Sequence, residues 1–213
     1  MRLGTKSVLY GAHAFWLHPW FVALAWWRLY GFPWDPRLWV AFLIHDLGYW
    51  GRANMDDELG ELHPFPAARL MGRLFDGARP AAIWRRGSET APVGRWADLV
   101  LFHSRFLSRH FGVRPSRLCM ADKLAVALEP WWLYLPRVIA TGEVTEYMAL
   151  ARDPAGKYGR ESRRGPAAQS RREWCTRMQG YCRAWALEHR DGRRDTWTPA
   201  APPPADDAGA NHA

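Results

Sequence analysis

Trp39-Val-Ala-Phe-Leu-Ile-His-Asp-Leu-Gly48 is an apolar run that ends on an imidazole and a carboxylate side by side. The run belongs in a core, and burying His45 and Asp46 there is costly unless both bind something. On a helix their side chains differ by about 100°, so both can reach one cluster from a single turn. Just upstream, Asp35-Pro36 is a helix start, an N-cap followed by Pro at the first helical position. The doublet is therefore a candidate metal site at the end of a buried helix. The remaining His and Asp residues decide whether that reading holds.

Outward from this stretch the periodicity is helical almost throughout. Pro19 opens a helix that runs to about Tyr30, and Gly31-Phe-Pro-Trp34 breaks it. The helix from Pro36 runs into the doublet and ends near Gly48 or Gly51. Residues 51–62 read as loop, and a further helix starts near His63-Pro64 and passes Leu74. The stretch 76–91 reads as loop, followed by one helix from about Gly94 to His110. Ser116 caps the next, through Ala121, Asp122 and Leu128, and weaker helices fill 131–152. No stretch alternates with period two for long enough to support a strand.

The expected architecture is all-α, a helical domain over 1–152. A Gly-, Pro- and Arg-rich linker and an amphipathic helix follow over 153–190. A Pro-rich tail, expected to be disordered, occupies 191–213.

Composition bounds the function without naming it. The chain has 213 residues, room for one sizeable core. Its net charge is +8, but 157–195 hold eleven Lys and Arg against five acids, so most of the excess lies near the C-terminus. That is a solvated basic face, or else a surface for nucleic acid. Three Cys with no CxxC give no disulfide framework and fit a reducing compartment. No apolar run approaches the ~20 residues that span a bilayer, and no signal peptide is evident, so a soluble cytoplasmic protein is expected. The fourteen Trp read as a tightly packed, aromatic-rich fold.

Laid on these helices, His18 begins the first, His45 and Asp46 end the second, His63 starts the third, His103 lies on the fourth and Asp122 on the fifth. Helical bundles can project such residues inward to one point. Nitrogen and oxygen donors without sulfur suit Mn, Fe, Co, Ni, Zn or Mg. His13, five residues before His18, reads as a helix-start or substrate-side residue rather than a ligand.

With these residues in order, the chain resembles the HD-domain superfamily of metal-dependent phosphohydrolases. His18-Pro-Trp-Phe-Val-Ala23 resembles its first motif, Phe42-Leu-Ile-His-Asp-Leu-Gly48 the defining His-Asp motif, and Met120-Ala-Asp-Lys-Leu124 the last. Glu61-Leu-His-Pro64 and Leu101-Phe-His-Ser104 resemble the two extra His motifs of two-metal members. The resemblance covers about residues 8–130. The offset of seventeen positions from Asp46 to His63 is shorter than in two-metal members. No Gly-Tyr-Pro follows His103, which argues against the cyclic-di-GMP phosphodiesterase branch.

The resemblance implies an HD-like helical bundle hydrolysing a phosphate ester of a nucleotide or another small phosphorylated metabolite. It implies one or two divalent metal ions, with Asp46 bridging, His18, His45 and Asp122 at one site, and His63 and His103 at the other. Arg105 and Lys123 are candidates for holding phosphate, and Glu61, with Arg52 nearby, for orienting water or a ligand imidazole. Two alternatives stay open. Relatives with the same ligand set use a two-iron centre with O₂, and a metal-stabilised scaffold with a nucleic-acid-binding C-terminus needs no catalysis.

Overall fold

Proline sets the helix starts around the doublet. Pro19, Pro36 and Pro64 each stand in the first helical turn, where a missing N–H costs nothing. A computed structural model describes residues 1–55, 57–77, 83–86, 89–92, 94–152 and 170–190. The described helices are α1 (Leu3–Tyr10), α2 (His18–Tyr30), α3 (Pro36–Ile44), α4 (Glu58–Glu61), α5 (Pro64–Phe75), α6 (Arg95–Leu101), α7 (Arg105–His110), α8 (Arg117–Leu128), α9 (Trp131–Thr141), α10 (Glu143–Arg152) and α11 (Arg171–His189). A 3-10 turn, Leu47–Tyr49, follows α3. The architecture is all-α. The expected linker beyond residue 152 and the tail beyond residue 190 lie outside the described residues.

Four local expectations are corrected. The loop over 76–91 carries a small antiparallel hairpin, β1 (Ile83–Arg86) with β2 (Glu89–Pro92), pairing Ile83 with Pro92 and Arg86 with Glu89. Four-residue strands are too short to show a period in sequence. The single helix expected over 94–110 is two, because the Ser104 hydroxyl accepts from Leu107 N–H and restarts the chain as α7. Ser116 flanks α8 without capping it, since its hydroxyl donates to the Leu99 carbonyl at 2.6 Å. The second helix stops at Ile44, so His45 and Asp46 occupy the turn beyond it.

The core forms where α2 and α11 pack on α8 while α5 packs on α6. Val22, Phe42, Met71, Leu101, Leu118 and Trp185 are fully buried in one cluster that draws on α2, α3, α5, α6, α8 and α11. Each such side chain contributes roughly 1.5–3 kcal/mol. On α11, Cys175, Cys182 and Trp185 share the buried face. A second cluster joins Tyr134, Leu135 and Val138 of α9 to Val144 and Cys175.

Among the described residues, tryptophan is not chiefly a core residue. Trp26, Trp96 and Trp185 are buried, whereas Trp20 is 60% and Trp34 84% exposed. Among the described residues, no helix is long and apolar enough to cross a membrane.

Candidate metal centre

Each of the six predicted ligands stands where a helix begins, ends or crosses the core. His18 is the first residue of α2, and Asp122 lies on α8, which packs against α2. His63 flanks the start of α5, and His103 stands in the break between α6 and α7. His45 and Asp46 form the turn after α3. Gly48 lets this turn approach α5, because a Cβ there would collide with the backbone carbonyl of His63. All six side chains are buried.

Asp46 is the centre of the arrangement. Its Oδ2 lies 3.0 Å from His45 Nε2 and 3.6 Å from His18 Nε2. Its Oδ1 lies 3.3 Å from His103 Nε2 and 3.6 Å from His63 Nε2. Asp122 Oδ1 completes the first group, 3.0 Å from His18 Nε2 and 3.9 Å from His45 Nε2. The donors therefore fall into two sets, His18, His45, Asp46 and Asp122, and Asp46, His63 and His103. Within each set the ligand atoms all lie within 4.8 Å of one another. One carboxylate faces both, an oxygen to each.

The backbone fixes three of the imidazoles. His45 Nδ1 lies 2.9 Å from Phe42 O, His63 Nδ1 2.9 Å from Gly60 O and His103 Nδ1 2.5 Å from Val100 O. A carbonyl only accepts, so each Nδ1 carries a proton, and each ring turns its Nε2 inward, as a lone pair whenever the ring is neutral. Those lone pairs face carboxylate oxygens, and His63 Nε2 faces His103 Nε2 at 3.1 Å. Acceptors so close together repel unless cations stand between them. His45 Nε2 and Asp46 Oδ2 are buried without a hydrogen-bond partner despite their proximity. A buried His/Asp cluster of this kind can hold metal ions, and hydrogen bonds from Nδ1 to carbonyls are how metal-ligating imidazoles are oriented.

Electrostatics agree with a site that demands positive charge. Burial opposes charge on His45, but Asp46 and Asp122 outweigh it and push its imidazole up to about 10. Burial likewise works against ionising Asp46, yet His45, His13 and His103 hold its carboxyl well below the usual range. Asp122 is also held low, against its burial, by Lys123 and His18. His63 has its imidazole driven well below its ordinary value by burial and by the neighbouring His103. Without metal, a proton on His45 and the Lys123 ammonium balance the two carboxylates.

The other predicted residues divide. Lys123 Nζ contacts Asp122 Oδ2 at 2.9 Å, and Asp122 raises the lysine pKa against the cost of burial. Arg105 turns toward α11, donating to the Tyr181 hydroxyl at 2.6 Å, with its guanidinium over the Trp185 ring. Glu61 is buried on α4, two residues before His63. Arg52 donates to the Gly48 carbonyl at 3.3 Å. Sequence reasoning missed Tyr49, whose ring stacks on His63 at 3.8 Å between centroids. Its position three residues after Asp46 was the only available signal.

Compared with known proteins, the chain matches no family model and has no significant match among curated proteins or solved structures.

Proposed function

We propose that the protein is a metal-dependent phosphohydrolase of HD-domain type, acting on a phosphate ester of a nucleotide or another small phosphorylated metabolite. The observation that carries this reading is the division of Asp46 between two buried donor sets, with two further imidazoles beyond those one ion needs. His18, His45, Asp46 and Asp122 would hold one divalent cation, and Asp46, His63 and His103 a second. The motif order His18, His45-Asp46, His63, His103, Asp122 supports the same assignment. Cations held there would lower the pKa of water and offset charge on phosphoryl oxygens during in-line attack.

The chain's own residues supply the rest. Lys123 commits one hydrogen bond to Asp122 and stays partly exposed, so its remaining donors are available to a phosphoryl oxygen. Arg105, held against Tyr181 and Trp185, would add positive charge toward a substrate from the α11 side. Glu61 would support His63 from the preceding turn. The Tyr49 ring, stacked on His63 and buried with it, would help to keep bulk water from the second ion.

The test is elemental analysis of protein purified without added metal, followed by phosphate release from a panel of nucleotides and phosphate monoesters with Mn²⁺, Co²⁺ or Mg²⁺. Metal-dependent release, lowered at least about 1000-fold in Asp46→Ala, is the expected result. Iron at two per chain with O₂ consumption and no phosphate release would replace this reading with an oxygenase.

A further inference from the structure

Glu143, at the start of α10, is fully buried and lies far in sequence from every proposed ligand. Its carboxylate accepts from the Ser7 hydroxyl at 2.5 Å, from the Thr141 hydroxyl at 2.5 Å and from Ala12 N–H at 3.1 Å. Gly11 leaves room for it, since a Cβ there would collide with the carboxylate. Ser7 has a single proton and commits it to Glu143, so its oxygen has only acceptor capacity for His13 Nδ1, 2.8 Å away. His13 Nδ1 therefore carries the proton, and the lone pair is on Nε2.

The His13 ring stands at the edge of the metal centre. Its centroid lies 4.8 Å from that of Tyr49, whose ring stacks on His63, and 6.0 Å from that of His18. It thus neighbours His18 of one donor set directly and His63 of the other through the Tyr49 ring. Among the described residues, His13 Nε2 has no hydrogen-bond partner, and the residue is half-buried rather than sealed. Three of the candidate ligand imidazoles, those of His45, His63 and His103, take their orientation from their own backbone three residues back. His13 takes its orientation from a buried serine and carboxylate drawn from α1 and α10, an arrangement that fixes its tautomer and leaves Nε2 open.

Resting on the phosphohydrolase reading, we propose that His13 is a catalytic residue of this centre, whose Nε2 accepts the hydrogen bond of the attacking water. Ser7 and Glu143 are positioning residues that hold the tautomer making this possible. As the water oxygen bonds to phosphorus and the ester P–O bond breaks, the shared proton passes to Nε2, and the leaving oxygen takes a proton from solvent. The imidazolium then returns its proton to solvent. A base so placed typically contributes 10²–10⁴-fold to rate.

The experiment pairs a structural readout with a kinetic one on the full chain. Long-range ¹H–¹⁵N correlation spectra of histidine-labelled protein, with His13 assigned by its loss in His13→Gln, should show a neutral Nδ1–H imidazole. That signature should be lost in Ser7→Ala. On the ester that the wild type hydrolyses, His13→Gln should lower kcat about 100-fold and Ser7→Ala about tenfold. KM and metal content should stay near the wild-type values in both. An Nε2–H tautomer in the wild type, or kcat within twofold of wild type in His13→Gln, overturns the inference and leaves the phosphohydrolase reading standing. If the metal-loaded wild type hydrolyses no ester, the reading falls instead, and the Ser7-dependent tautomer is still read by the spectra.

Discussion

Asp46 shows how a single residue sets the character of a site. Its carboxylate is surrounded by four imidazoles, three of them locked by their own backbones with Nε2 turned inward. In metal-free protein the balance of protons must then carry the site. The His45 imidazole is raised to about 10 in the fold, so the stability it contributes is full below the ordinary histidine value near 6.5 and is lost as pH rises toward 10. His63 is depressed by burial, so its contribution is lost as pH falls below that same ordinary value. Urea-unfolding midpoints of metal-free protein should therefore peak near pH 6.5 and fall on both sides. A flat profile from pH 5 to 9 would contradict these pairings. Lys123→Met leaves Asp122 Oδ2 without its lysine in a buried position and should cost about 1–3 kcal/mol in the same assay.

The His and Asp residues that the fold gathers, and their order, were legible in sequence because each is a local signal. The approach of His63 to His103 was not, since it depends on two chain segments forty residues apart. Likewise the Ser7–Glu143 contact spans 136 residues and has no sequence signature.

At the scale of elements, five of the six candidate ligands stand at helix ends or breaks, and only Asp122 lies within a helix. Proline marked three of those starts in the sequence, and the Asp35 cap was equally readable, accepting from Arg37 N–H at 3.0 Å. The break that places His103 was not, because Phe102-His-Ser104 continues the apolar period of its neighbours and only the Ser104 cap interrupts it. The N-terminal α1 carries little sequence signal, burying Gly4, Ser7 and Val8 along its eight positions. The close contact of Gly48 with the His63 carbonyl gives a test at this scale. Gly48→Ala should displace the start of α5, lower the bound metal by about one ion per chain and leave the far-ultraviolet helical signal intact. Unchanged metal content in that variant would mean that His63 does not depend on this contact.

For the whole molecule, the all-α architecture was readable, whereas the β1–β2 hairpin and the role of the last helix were not. The basic sequence around α11 suggested an appendage, yet its Trp185 is fully buried in the main core and its Tyr181 holds Arg105. Trp185→Ala should therefore cost about 3–5 kcal/mol and loosen the α8 side of the centre, as measured by chemical unfolding. Periodicity shows that a helix has an apolar face but not which partner covers it, and the exposure of Trp20 and Trp34 was hidden for the same reason.

The account as a whole rests on Asp46 joining two metal sites. Its most direct test is the metal stoichiometry of the full chain, by elemental analysis after dialysis against a slight excess of Mn²⁺ or Zn²⁺, in wild type, His63→Ala and Asp46→Ala. The account predicts about two ions per chain in the wild type, about one in His63→Ala and fewer than one in Asp46→Ala. A wild type that binds none, or an Asp46→Ala variant that binds as many as the wild type, would contradict it.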